Sequence, residues 1–235
     1  AATVSPDGAN LSFGHPNRVG QLTWSSPQTS RLLFEAGAAL HQLQWSGKER
    51  PGYNRDLIRV TEQAGIIPGL SYRGITWASN WSGTYPVRGS VSYVTGSHTS
   101  KFGFVNTFYT TDDDAMDPQG IAYRFNNGVP NQLTLSNAPR TILEQHTTRA
   151  FFAQDSWVVG RLTLQGGVRY DRMTQRFPEQ VVGFNRFIPN GFIVPEGTGV
   201  DWHDVTPRMA AAYDLAGNGK TAVKVQLGKY MIAQD

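Results

Sequence analysis

The sequence predicts an all-β fold: a segment of an antiparallel transmembrane β-barrel, about eight long strands plus long loops, forming an incomplete barrel. Three observations predict it. Apolar and polar residues alternate with period two over long runs, and a strand turns successive side chains to opposite faces. The runs are about 8–15 residues long. That is near the roughly 9–11 a tilted strand needs to cross a bilayer and beyond the roughly 5–6 of soluble sheets. Tight turns also alternate with connections of about thirty to forty residues. Such loops are unusual in a compact soluble domain, and the alternation is the pattern of bacterial outer-membrane barrels.

The elements follow in order. Residues 17–24 and 31–45 flank a turn at 25–30, and Leu32, Phe34, Ala36, Ala38 and Leu40 oppose Glu35, Gly37 and His41. Residues 87–95 and 101–110 flank 96–100, with Val91 and Tyr93 on one face of the first strand and Phe102, Phe104 and Phe108 on one face of the second. Residues 142–157 alternate less clearly and turn at 156–161 into the cleanest run. There Leu162, Leu164, Gly166, Val168 and Tyr170 oppose Thr163, Gln165, Gly167, Arg169 and Asp171. In the last hairpin Met209, Ala211, Tyr213 and Leu215 oppose Arg208, Ala210, Ala212 and Asp214. Residues 216–220 are rich in turn formers, and Val223, Val225 and Leu227 then oppose Lys224, Gln226 and Gly228. The connections 46–86 and 173–203 read as long loops. Residues 119–137 read as an extra short hairpin outside the membrane.

Composition agrees. Charged residues are 17 % of the chain, against about 25 % in soluble proteins. With 39 % hydrophobic residues, this suits a wall between lipid and water. There is no cysteine, hence no disulfide framework or thiolate metal site. The net charge is only +3 and no Lys/Arg run marks a nucleic-acid partner. No apolar run reaches the roughly 18 residues of a membrane helix. No signal-peptide pattern opens the chain. With Ala1 in place of an initiator Met and an unfinished strand pattern before Asp235, it reads as an internal segment of something longer.

The stretch Arg149-Ala-Phe-Phe-Ala-Gln-Asp-Ser-Trp157, followed by Arg161-Leu-Thr-Leu-Gln-Gly-Gly-Val-Arg-Tyr-Asp171, resembles the "Y-x-Q-D … L-x-L-x-x-G-x-R-Y-D" hairpin of TonB-dependent receptor barrels, with Phe152 where Tyr is common. Residues 206–224 resemble the next hairpin. Residues 29–37 and 88–98 are similar to the Oar-like subgroup, in which a carboxypeptidase-regulatory-like domain precedes plug and barrel. The resemblance implies a 22-strand barrel in the outer membrane, closed by a plug and energised through the TonB complex. Residues 1–235 would then be part of the barrel domain, about a third of its wall, without plug or TonB box. The implied partners are outer-membrane lipid, the plug and TonB complex of the whole protein, and a large solute of unknown identity. The implied function is active uptake, with no enzymatic activity and no cofactor.

Trp77, Trp81 and Trp202 fall in the long loops and are the candidate substrate-binding residues. Arg169, Asp171, Arg208 and Asp214 are expected to face the lumen, where buried charge pairs between strands or with the plug are the plain alternative to a solute path. Trp24, Trp45, Trp157, Tyr170 and Tyr213 are candidates for an interfacial girdle. Other signals carry less. Gly217–Thr221 superficially suggests a phosphate loop, but Asp214 stands where the first Gly is needed and the context is strand–turn–strand. Asp112, Asp113, Asp114 and Asp117 form an acidic cluster on an apparent loop, without EF-hand spacing. The five histidines lack metal-ligand spacing, and no Gly-x-Ser-x-Gly elbow is present. Two alternatives remain at this stage. A secreted β-sandwich carbohydrate-binding module would bury the apolar face against a second sheet. A complete eight-strand barrel would match the strand count.

Overall fold

Tight turns return the chain on itself, and the strands they join pair in chain order. A computed structural model describes residues 3–231. After a single 3-10 turn at Pro6–Gly8 come β1 (Leu11–Gly14), β2 (Arg18–Pro27), β3 (Leu32–Lys48), β4 (Arg59–Glu62), β5 (Ser71–Arg73), β6 (Trp77–Thr95), β7 (His98–Met116), β8 (Ile121–Asn126), β9 (Val129–Leu135), β10 (Arg140–Val159), β11 (Leu162–Phe177), β12 (Gln180–Val182), β13 (Phe192–Val194), β14 (Gly197–Asp214) and β15 (Ala222–Gly228). The wall is one antiparallel sheet in the order β1/β2–β3–β6–β7–β10–β11–β14–β15. β1 and β2 lie end to end along the same edge of β3, so they act as one strand interrupted at His15-Pro16-Asn17. Pro16 has no N–H to give to a ladder. The wall therefore has eight strand positions, the number the alternation predicts. Among the described residues it does not close: β15 pairs only with β14, and β1 and β2 only with β3. This removes the complete eight-strand barrel.

The register sorts the wall into two faces. One carries Leu22 and Trp24; Leu32 to Leu40 in alternation; Val87, Val91 and Tyr93; Phe102, Phe104 and Phe108; Phe151 and Trp157; Leu164, Val168 and Tyr170; Val205, Met209 and Tyr213; and Val223, Val225 and Leu227. These side chains are uncovered, with Leu22 74 %, Phe151 60 % and Val225 66 % exposed. No second sheet packs on them among the described residues, which removes the β-sandwich. The belt is nine residues long from Leu32 to Leu40, Tyr93 to Tyr85, Leu162 to Tyr170 and Tyr213 to Val205. Beyond its far limit the same face turns charged, at Arg18, Arg149, Arg172 and Asp201.

The stagger between strands gives their tilt. Opposed residues trace a line from Ala38 through Val87, Asn106, Arg149 and Arg172 to His203. Ala38 lies six residues from the start of β3 at Leu32, and His203 lies eleven from the end of β14 at Asp214. The line slides five residues in five strand steps. A slip of one residue per strand, with a rise of about 3.3 Å and a spacing of about 4.8 Å, means a tilt of about 35°. That is the tilt of transmembrane barrels. At this tilt the nine-residue belt is about 22 Å tall, close to the roughly 25 Å apolar band of such walls.

The long connections are more ordered than the alternation suggests. β6 begins at Trp77, β14 at Gly197, and β7 runs on to Met116. Trp77, Trp81 and Trp202 therefore stand on strands, which corrects their expected place in loops. The acidic residues Asp112, Asp113 and Asp114 also lie on β7. Asp112 and Asp114 share one face of the extended backbone and Asp113 takes the other, so among the described residues the three do not converge on a metal site. β4, β5, β8 and β9 make a separate sheet in the order β5–β4–β8–β9, with β4 and β8 parallel. The 119–137 hairpin thus lies off the wall. β12 and β13 form a third small hairpin. Of the seven buried apolar residues among those described, Val60, Ile75, Ile121, Ala122, Ala138 and Val182 belong to these connections, and only Ala150 to the wall. The wall has almost no dry core of its own; the outer layer does.

Candidate functional site

The face opposite the belt is mostly polar. Lys101 Nζ donates to Glu35 Oε2 at 2.7 Å across two strand boundaries, and Ser90 Oγ donates to the same oxygen at 3.2 Å. Arg169 chelates Asp171, its neighbour two residues along β11, with Nε and Nη2 both donating to Oδ1 (3.0 and 2.8 Å) and Nε also to Oδ2 (2.8 Å). Residues i and i+2 of a strand share a face, so the pair needs no bend. The Asp171 side chain is 2 % exposed and that of Arg169 is 36 %. Arg208 stacks over the Tyr230 ring at 4.6 Å.

The register puts Arg169, Asp171, Arg208 and Asp214 on this polar face. They do not form one group. Arg169 and Asp171 are bound to each other, and Arg208 to an aromatic ring. Asp214 caps the β14–β15 turn, accepting from the amides of Gly217 (2.9 Å) and Gly219 (2.7 Å). Both glycines have positive φ, near +70°, which turns their N–H groups toward one carboxylate. Asp214 is thereby committed to the turn.

At the long-connection end, the polar face and the outer layer enclose a cleft of about 710 Å³. The wall contributes Trp45 of β3, Ala78 of β6, Ala115 of β7 and Arg140 of β10; the layer contributes Arg59 of β4, Ala122 of β8 and Leu135 of β9. Three connections are tied together around it. Asn185 Nδ2 donates to the carbonyls of Ser136 (3.2 Å) and Ala138 (2.8 Å), Gln119 Nε2 donates to that of Arg55 (2.6 Å), and Tyr53 Oη accepts from the amide of Ile75 (2.9 Å). The same layer holds shifted groups. The Ser5 hydroxyl, which donates to Asp7, and the Arg73 amide hold the Asp7 carboxyl below its ordinary value against a smaller effect of burial. Arg55 does the same for Glu49, to which it donates at 2.7 and 2.8 Å. Burial and the Glu62 carboxylate raise the Tyr72 phenol.

The three candidate aromatics are not brought together. Trp77 lines this cleft. Trp81 stands opposite Gln44 and Asp112 on the belt-side face, and Trp202 stands opposite Met173 on the polar face. Trp24, Trp157, Tyr170 and Tyr213 sit on the belt face, but Trp45 has the other parity and lines the cleft. Sequence reasoning missed Arg59 and Arg140. They lie on strands about eighty residues apart and meet only because the β8 connection folds back under β4.

Residues 2–230 match the family described as TonB dependent receptor-like, beta-barrel. No curated protein matches. Among solved structures, the ferric citrate transporter FecA in its unliganded form is similar, with a TM-score of 0.49 and 16 % sequence identity, over 88 % of this chain and 26 % of that one. The chain thus spans about a quarter of the length of that structure. With nearly the whole sequence matched, the chain belongs to the TonB dependent receptor-like β-barrel family, an outer-membrane family of transporters and not of enzymes.

Proposed function

We propose that this chain forms about a third of the wall of an outer-membrane transporter that takes up a large solute with energy from the TonB complex. In this reading the remaining wall and the plug belong to other parts of the whole protein, and the sequence falls in the Oar-like subgroup. The observation that carries the reading is the nine-residue apolar belt, uncovered on one face, with Lys101, Glu35, Arg169 and Asp171 on the opposite face; Asp155, which shares the belt face, is held there by His98 and the Ser100 hydroxyl. Lipid covers such a belt at no desolvation cost, and water does not. The polar face then looks into the lumen, and the short turns point to the periplasm. Arg169, Asp171 and Arg208 would line the lumen, Trp77 and Trp202 would stand at its outer mouth, and Trp81 would face outward from the wall.

The test uses the absence of cysteine from these 235 residues, any cysteine elsewhere in the whole protein being first replaced by Ser. Single Cys residues are placed at Leu164, Gln165 and Val168 of the whole protein in outer membranes, spin-labelled, and probed with oxygen and with a water-soluble nickel chelate. Oxygen access at 164 and 168 with nickel access at 165 is expected. If 164 and 168 are shielded from both probes, they are buried in protein and the proposal fails.

A further inference from the structure

The outer cleft holds two arginines that the fold does not pair. Among the described residues the Arg59 side chain makes no hydrogen bond or ion pair, and its Nε is sealed from solvent. Arg140 donates from Nη1 to Asn137 Oδ1 at 3.1 Å, but its Nε is also sealed and unpartnered. A buried N–H without an acceptor costs about 1–3 kcal/mol, more on a charged group, so two in one cleft ask for a reason. The one carboxylate lining the cleft, Asp117, accepts from the Gly120 amide at 3.1 Å and forms no ion pair with either arginine. Trp45 and Trp77 are among the residues that line the same space. Its volume suits a small organic molecule.

Guanidinium is a planar fork of donors that matches carboxylate and phosphate oxygens in pairs. Indole beside it offers a flat apolar surface. We infer that this cleft binds a soluble organic anion, a carboxylate or phosphate carried next to a flat ring, with Arg59 and Arg140 on the anion and Trp45 and Trp77 against the ring. The inference rests on the transporter reading for its location, since an outward-facing cleft on the lumen side meets solutes and not lipid.

Phenyl phosphate is the probe and benzyl alcohol its uncharged control, with the whole protein in detergent. Phenylglyoxal labelling read by mass spectrometry should show Arg59 and Arg140 protected by phenyl phosphate and unprotected by benzyl alcohol, with the exposed Arg124 unaffected by either. In a tryptophan-fluorescence titration, R59Q and R140Q should each weaken phenyl phosphate about tenfold or more, the loss of one charged hydrogen-bond pair, and R59K should weaken it less. Should a Gln variant misfold, labelling of the unsubstituted protein decides. The inference is overturned if both arginines resist phenylglyoxal without ligand and phenyl phosphate changes nothing, because carboxylates elsewhere in the protein then fill the cleft. It is also overturned if benzyl alcohol protects equally, or if protection appears only with phosphatidic acid vesicles. Failure here with an oxygen-accessible Val168 position leaves the transporter wall standing; shielded belt positions sink the wall and not the anion site.

Discussion

Arg169 and Asp171 bind one another, yet their burial is unequal, and that asymmetry decides what each substitution does. Arg169→Ala leaves a nearly sealed carboxylate without its cation and is expected to destabilise the wall by about 3 kcal/mol, the low end for breaking a buried pair. Asp171→Ala leaves a guanidinium that still reaches water and should cost about half as much. Urea midpoints of the two variants in lipid check the order; equal losses would mean that the pair is solvated as a unit. Parity makes an even sharper contrast. Val168→Arg puts a cation on the belt and should cost about 2–4 kcal/mol, while Gln165→Arg on the polar face should stay within about 0.5 kcal/mol. At this scale the sequence was legible wherever one face met a uniform medium, as from Leu162 to Tyr170. It was not legible at Trp45, five residues beyond Leu40, where water bathes both faces and nothing constrains which residue type points where. Asp214 was misleading for another reason: its parity is that of the polar face, but the glycine amides of the turn claim it first.

Within the wall, aromatic rings lie over glycines of the next strand. A Cβ at Gly89 would sit 2.6 Å from the Phe104 ring, and one at Gly103 would sit 2.6 Å from the Phe152 ring and 2.7 Å from the Gly89 carbonyl. The ring can move; the carbonyl cannot. Gly103→Ala is therefore expected to cost about 1–3 kcal/mol, the range for overpacking, and to shift the Phe152 resonances in a spectrum of the labelled protein. A purely additive methyl effect with unchanged Phe152 would contradict this. The hairpins themselves were readable because each combines alternation with a turn. Their outer extensions were not, since Trp77–Pro86 alternates poorly once it leaves the belt. β4, β5, β12 and β13 are three or four residues each, too short for any period to register, and the parallel β4–β8 pairing joins segments that no local signal links. The acid behaviour of this outer layer follows from the depressed carboxyls of Asp7 and Glu49. A carboxyl with a folded value below its unfolded one stabilises above the ordinary range of about 4 and loses that contribution as pH falls through the folded value. The contact of residues 5–8 with β5 should thus be intact at neutral pH and weaken progressively as pH falls below about 4 toward the lower folded value, seen as faster hydrogen exchange at Ser5 and Ser71 once intrinsic rates are divided out. Unchanged protection at pH 3 would show that backbone pairing alone holds it.

Taken as a whole, the described chain is an open sheet with two unpaired edges and a capped outer end. Unpaired backbone N–H and C=O groups cost several kcal/mol each in lipid, so β2 and β15 require neighbouring strands. Expressed by itself, the chain is expected to associate edge to edge in detergent and to run as a broad oligomer by size-exclusion light scattering; a stable monomer would mean that the edges are protected by other means. The anion cleft was the least legible feature of all, because Trp45, Arg59 and Arg140 come from three separate strands and share no spacing.

The one-residue slip between strands has a consequence for size. At a tilt of about 35°, each strand occupies about 5.9 Å of perimeter, so eight positions span an arc of about 47 Å. Continued around twenty-two strands, as the resemblance implies, the same slip closes a ring about 130 Å in circumference and about 40 Å across. An empty ring that wide would leak every small metabolite of the periplasm. On the proposed reading, the polar face, with its sealed Asp171 and its Lys101–Glu35 bridge, would be the seat of a stopper.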